Sequence, residues 1–255
     1  MRDYLIYEHP LNERIRTFLR LEHLFGKLAY FLPQEEVWAT RAVVEALLDI
    51  LNVTARADIK TEILKEIDRH TAVLTRLAHQ RGVDTERLQE LLSRMEQIGN
   101  QVYQLNGQLG QALRENDFLK NIIQRSSIPG GTCSFDLPQL HHWLGRPHAL
   151  RAEQIQSWLE ELQPVREGVE LLLSLARDSS DPRLEIAENG FFQGNLDAQA
   201  PAQMVRIALD PSAPLYPEVS GHRSRYSIRF LEMAGSDRAN QTNRDVEFLL
   251  TACAF

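Results

Sequence analysis

The chain has 255 residues, 43% hydrophobic and 25% charged, with a formal net charge of -7. That is enough apolar material for one large core or two smaller ones, and the composition excludes a disordered chain. The acidic balance argues against general nucleic-acid binding, which needs a broad basic footprint, and Cys133 and Cys253 are too few and too far apart for a disulfide framework or a zinc site. No stretch approaches a membrane span, and the opening residues Met1 to Glu8 lack the apolar core and small-residue cleavage site of a secretory signal. A cytoplasmic location is expected.

In chain order, Tyr4 to Tyr7 reads as a strand able to join a sheet formed by the other end of the chain. Leu11, Ile15, Phe18, Leu21 and Phe25 recur at helical spacing until Pro33. A second stripe runs through Val37, Val44, Leu47, Leu48 and Leu51. Asp58 caps a third helix that buries Ile59, Ile63, Ile67, Leu74 and Leu77 and stops near Gly82. Asp84 caps a fourth, with Leu88, Leu91, Leu92, Met95, Ile98 and Val102 on its apolar face. Leu109, Leu113, Phe118, Ile122 and Ile123 predict a fifth.

Pro129, Gly130 and Gly131 make Ser126 to Asp136 a loop. Asp136, with Pro138 just inside, starts a short helix over Leu137 to Leu144 that ends at Gly145. Two more helical stretches flank Pro164, the later one carrying Val169, Leu171, Leu172, Leu175 and Ala176. Near residue 180 the periodicity changes to alternation. Leu184 and Ile186 precede Asn189-Gly190, a type I′ hairpin signal, and Phe191 and Phe192 open the return strand. Further strands are expected at Met204 to Leu209, Arg223 to Met233 and Val246 to Cys253, with polar loops at Asp197 to Ala202 and Gly235 to Arg244. The expected class is α+β, a helical bundle domain over residues 9–179 and a mainly antiparallel β-domain over 180–255 that strand 3–8 joins.

Few residues offer chemistry. Gly130-Gly131-Thr132 lacks the lysine and the spacing of a phosphate-binding loop and serves a tight turn. Cys133, Asp136, His141 and His142 include the residue types of a thiol nucleophile, an orienting carboxylate and a base, but their order matches no nucleophile signature. A core thiol beside a capping aspartate accounts for Cys133 and Asp136 more simply. His141 and His142 point about 100° apart on a helix, so they do not share a metal, and one is expected to face the core.

Basic residues stand out more. As a strand, His222 to Phe230 puts Arg223, Arg225 and Arg229 on one face and Tyr226, Ile228 and Phe230 on the other. No acidic residue lies between Val219 and Leu231. Arg16 and Arg20 are neighbours on the first helix, and Lys120 and Arg125 lie in another stretch without acids. Each cluster alone reads as a solvated face. Together they point to a docking surface for a carboxylate-bearing partner, because guanidinium groups bind such groups in a defined geometry.

The same segments carry a resemblance. Tyr7-Glu8-His9-Pro10-Leu11-Asn12-Glu13 followed by Arg16-Thr17-Phe18-Leu19-Arg20, the run Lys60 to Arg69, the block Ser127-Ile128-Pro129-Gly130-Gly131-Thr132-Cys133-Ser134-Phe135-Asp136-Leu137-Pro138, and Leu215-Tyr216-Pro217 leading into Ser220 to Phe230 resemble the ZapD family of bacterial cell-division proteins, which act on the Z-ring with FtsZ. The resemblance implies a homodimer with a helical domain and a β-domain that binds the C-terminal tail of FtsZ and crosslinks its filaments at mid-cell, with no catalytic activity and no cofactor. It implies that Arg16, Arg20, Arg56, Arg125, His141, Arg223, Arg225 and Arg229 receive the tail. Asp117 departs from that pattern, standing where a basic residue is expected. Two other readings remain open from the residues alone: a thiol-dependent enzyme using Cys133 and His141, and a nucleic-acid-binding regulator using the first helix and the arginine strand.

Overall fold

The computed structural model describes residues 4–78, 82–105, 107–196, 202–222, 225–234 and 238–254. Helices fill the middle of the chain, and strands gather from both of its ends. Contacts divide it into two compact units: Arg20–Leu172, which is helical, and Met1–Leu19 with Leu173–Phe255, which holds the sheets.

The helical unit follows its apolar stripes. α1 (Glu13–Phe31), which enters it from the other unit, buries Leu21, Phe25 and Leu28 there. α2 (Val37–Arg56) is mostly inside, from Ala39 to Thr54. Asp58 accepts the Thr61 N–H at 3.1 Å to start α3 (Ile59–Leu77), and Asp84 accepts that of Arg87 at 3.1 Å to start α4 (Thr85–Gln104), so both predicted caps form. The side chain of Leu77, expected in the core, lies outside those described. Gly168 lets α9 (Gln163–Arg177) approach closely: a Cβ there would stand 2.9 Å from Ile63 and 3.5 Å from Ile98. Trp158 of α8 (His148–Glu160) forms a cluster with Phe118 and Trp143, at 5.9 and 6.0 Å, and those two rings are 5.3 Å from each other. The guanidinium of Arg151 is buried and donates to the Glu35 carbonyl at 2.8 Å, to the Thr40 hydroxyl and to the Arg146 carbonyl at 3.1 Å. It thereby ties the start of α2 to α8 with no carboxylate involved.

Two helix expectations are corrected. The fifth helix is two, α5 (Gln111–Glu115) and α6 (Asp117–Ser126), because Asn116 adopts an extended conformation and its side chain accepts the Leu119 N–H at 3.2 Å. An internal N-cap with a good acceptor competes successfully with helix propagation. Asp117 therefore occupies the first turn of α6, where the helix dipole favours a carboxylate. The short helix is α7 (Pro138–Leu144), and Asp136 does not cap it: Leu137 holds the N-cap position and no side chain bonds there.

Among the described residues, eight strands form two sheets. Sheet A has the order β1 (Leu5–Pro10), β4 (Ala202–Leu209), β8 (Val246–Ala254), β2 (Arg183–Ala187), all antiparallel. Sheet B has β3 (Phe191–Asn195), β6 (Arg225–Ala234) and β5 (Leu215–His222), with β7 (Arg238–Gln241) also on β6. The N-terminal strand joins sheet A, in register from Leu5↔Leu209 to Pro10↔Met204. Val205, Ile207, Leu209, Phe248 and Leu250 of one sheet pack with Tyr226, Ile228 and Phe230 of the other. Phe248 stands 4.9 Å from Phe230 and 5.3 Å from Phe192, ring centre to ring centre.

Asn189 and Gly190 both have positive φ, 50° and 70°, as a type I′ turn requires. The expected hairpin does not continue, however. Ala187 pairs with Val246 in sheet A and Phe191 with Arg229 in sheet B, so the turn carries the chain from one sheet to the other. β5 falls where no strand was expected, since Pro217 and Gly221 weaken that signal. β7 replaces part of the expected Gly235 to Arg244 loop. The expected loop residues 197–201 lie outside the described residues.

Candidate partner-binding surface

In the β-unit, strand alternation dictates the layout of β6. Tyr226, Ile228 and Phe230 are buried, leaving Arg225, Ser227 and Arg229 to point away from the core. Register then fixes their neighbours. Arg229 lies between Phe191 and Glu218, Ser227 between Gln193 and Ser220, and Arg225 between Asn195 and His222. Tyr226 is flanked on its own face by Gly194 and Gly221, and a Cβ on Gly194 would stand 2.3 Å from its ring. Glycine on both sides makes room for the large ring, whose phenol burial holds in its neutral form by raising the pKa.

The outer face opens a shallow depression, about 600 Å³, between Phe191 and Gln193 of β3 and Ser220 and Gly221 of β5, with Arg225 and Ser227 beneath. Arg225 is exposed and has no ion-pair partner among the described residues. Arg229 differs: its Nη2 lies 3.6 Å from Glu218 Oε2, with both side chains about half exposed. An acid just outside the acid-free window thus meets the strip across the sheet. Arg223, the third arginine expected here, lies outside the described residues.

The start of α1 belongs to this unit. Asn12 caps it, accepting the Ile15 N–H at 2.9 Å, and also donates to Gln203 Oε1 at 2.8 Å, which anchors the helix to β4. Arg16 is partly exposed and pairs with Glu13 at 3.0 Å. Burial and then the charge of Arg16 push His9 below its ordinary pKa, so the two are close. The His9 Nε2 in turn stands 3.8 Å from the position a Cβ would take on Gly221. Because a Cβ on Gly221 would share the buried face with its register partner Tyr226, His9 lies on the core side of β5, the face opposite the depression, and this contact does not bring Arg16 into it.

The remaining candidates sit in the helical unit. Arg20 is exposed on α1, one turn beyond Arg16, and Arg56 is exposed at the end of α2; neither has an ion-pair partner among the described residues. Lys60 is occupied, donating to the carbonyls of Tyr103 at 3.0 Å and Leu105 at 2.6 Å, where it caps the end of α4. Arg125 lies 3.8 Å from Asp136, whose carboxylate also accepts the Cys133 thiol at 3.3 Å. His141 and His142 are both exposed, which corrects the expectation that one faces the core: Leu140, Trp143 and Leu144 fill the buried side of α7. No hydrogen bond joins Cys133 to His141 among the described residues. Cys253 is buried, which pushes its thiol up to about 11.

Four candidates, Arg20, Arg56, His141 and Arg225, thus have no ion-pair partner among the described residues, and three others share their charge with carboxylates. Phe191, Gln193 and Glu218 were not found by sequence reasoning. They reach the arginines through cross-strand register, which leaves no local signal.

The family model described as ZapD, cell division protein, matches residues 19–229. Curated relatives agree over nearly full length: "Cell division protein ZapD" of Methylococcus capsulatus is 41% identical over 253 residues, covering 99% of each chain. Those of Dechloromonas aromatica and Chromobacterium violaceum are 40% and 38% identical over 250 residues, covering 98% of this chain and 99% of theirs. The chain belongs to the ZapD family of cell division proteins. No described helix is long and apolar enough to cross a membrane.

Proposed function

We propose that this protein is a non-enzymatic division factor that acts as a homodimer in the cytoplasm at mid-cell, binds the C-terminal tail of FtsZ and crosslinks FtsZ filaments, stabilising the Z-ring. The observation that carries the reading is the depression on sheet B, where Arg225, with no ion-pair partner among the described residues, stands beside an exposed aromatic and polar side chains able to meet a peptide. Family membership supports it. Arg16, Arg20, Arg56, Arg125, His141, Arg223 and Arg229 are the other proposed contacts, with residues 9–179 serving dimerisation as well as binding. No cofactor, metal, nucleic acid or membrane enters the proposal.

Bundling does not require a tight site. A dimer with two tail sites facing a polymer converts weak contacts into avidity, whereas a monomer decorates a filament without joining two. Cosedimentation with FtsZ carrying or lacking its tail tests the reading. The full-length filament is expected to pellet with the protein in bundles and the tail-less one without it. Equal bundling of both would overturn it.

A further inference from the structure

β3 is one edge of sheet B, and the alternation of an antiparallel ladder decides which of its backbone groups are used. The Phe230 N–H donates to the Gly190 carbonyl at 2.8 Å, and the Phe230 carbonyl accepts the Thr242 N–H at 3.0 Å, so the backbone groups of Phe230 point to the β3 side of β6. By alternation those of Ile228 and Tyr226 do the same, and their partners on β3 are Phe192 and Gly194. The N–H and C=O groups of Gln193 and Asn195 therefore face away from β6. No strand pairs with them on that side among the described residues, and both residues are exposed. Phe191 is turned the same way, but its N–H already meets the Glu188 carbonyl at 3.0 Å.

Open sheet edges are usually blunted by proline, by charge or by a bulge. The opposite edge of the sheet follows that rule: Pro217 of β5 stands across from Phe230, whose backbone groups point the other way, so the missing N–H falls on the free side. β3, with the sequence Phe191-Phe192-Gln193-Gly194-Asn195, carries neither a proline nor a charged side chain. It also borders the depression, which Phe191 and Gln193 line, and Asn195 is the register partner of Arg225. Arg225 has no ion-pair partner among the described residues, and no acid is among those that line the depression. The charge of Arg229 is matched by Glu218. What remains beside the open edge is one positive charge.

We propose, resting on the tail reading, that the carboxylate-bearing tail binds in extended form by adding itself to β3 as a new edge strand of sheet B. Main-chain hydrogen bonds to Gln193 and Asn195 then hold the peptide, and side chains at alternate positions give selectivity, as in other cases of strand addition. The tail residues opposite Gln193 and Asn195 turn their side chains to the outer face, about 10 Å, or two strand spacings, from β6. A carboxylate opposite Asn195 lies in the row of Arg225, and the long arginine side chain reaches across Asn195 to meet it. Four positions along, an apolar side chain opposite Phe191 covers that ring, which is 42% exposed.

The test uses the full-length protein and a synthetic peptide of the FtsZ C-terminal tail. On saturation, amide hydrogen exchange is expected to slow at Gln193 and Asn195 and to stay unchanged at Val219, whose N–H faces the free side of β5. Methylating the peptide's backbone nitrogens one at a time should weaken binding about tenfold at alternate positions and little at those between. Gln193→Pro removes an N–H that no other strand uses, a change that edge positions tolerate, and should weaken binding by a similar factor in a folded protein. A peptide whose binding is lost in Arg225→Glu, yet which leaves exchange at Gln193 and Asn195 unaltered or shows no alternation on methylation, overturns strand addition and leaves the tail reading standing. Normal binding by a folded Gln193→Pro protein does the same. A tail peptide that does not bind the natural protein overturns both.

Discussion

Arg225 and Arg229 are two residues apart on one strand and face, and they differ in what they have already spent. Arg229 shares its charge with Glu218, and an open pair of this kind contributes about 0–1 kcal/mol. Arg225 has only Asn195 and His222 opposite it in the register. Reversing Arg225 to glutamate therefore adds repulsion toward a carboxylate-bearing tail and breaks no ion pair among the described residues. Arg225→Glu should leave thermal stability within about 0.5 kcal/mol while tail-peptide affinity falls more than tenfold. Arg229→Glu, which places a second carboxylate across from Glu218, should lose stability as well. Melting curves and tail-peptide titrations on the two variants separate these effects. An Arg225→Glu protein that stays folded and binds the tail normally would remove Arg225 from the surface and leave Arg16, Arg20 and Arg125 as candidates.

At the scale of the elements, the ion pairs around β1 matter most. Burial draws the Glu8 carboxyl upward in pKa, but the guanidiniums of Arg177 at 2.8 Å and Arg206 at 3.0 Å outweigh it and hold the group below its ordinary value of 4.5. These contacts join β1 to β4 and to the end of α9. A carboxyl lowered in this way gives stability that is present above its unfolded value and lost as pH falls through the folded one. Glu8→Gln should cost about 2 kcal/mol at pH 7, since it leaves two partly buried guanidiniums short of a charged partner. The deficit relative to the natural protein should shrink as pH falls through the lowered folded-state value of Glu8, where the carboxyl itself becomes neutral. Denaturant titrations above and below that value check this, and a deficit that persists in acid would assign the loss to packing instead. The predicted caps at Asp58 and Asp84 and the helical stripes were legible in the sequence because capping and periodicity are local. Asn189-Gly190 announced its turn correctly but not the departure of its two strands into different sheets, because pairing with Val246 and Arg229 is decided by distant chain. The same limit applies to the site. The arginines could be read from alternation, while Glu218, Phe191 and Gln193 are brought to them only by register.

For the molecule as a whole, the contrast between net charge and local surface sets the behaviour toward an acidic polymer. A chain of formal charge -7 should be repelled by such a partner at long range and attracted only where its unpaired arginines approach. Screening shortens both effects, but the attraction is the one that holds a complex together. Cosedimentation with FtsZ should therefore weaken steadily between about 0.05 and about 0.5 M salt. Binding unchanged over that range would replace the arginine face with an apolar one. The sheet topology also fixes a schedule. β1 precedes the other described elements, but its sheet neighbour among the described residues is β4, and β4 in turn lies against β8. At translation rates of about 5–20 residues per second, β1 must remain unpaired for on the order of 10–40 s. During that interval Arg20–Leu172 emerges entire, whereas the unit that carries Arg16 and Arg225 is assembled from segments on both sides of it. A product of synthesis interrupted before β5 and β6 would thus retain the helical unit and lack the arginine depression, which makes the depression a later-formed feature than the helices.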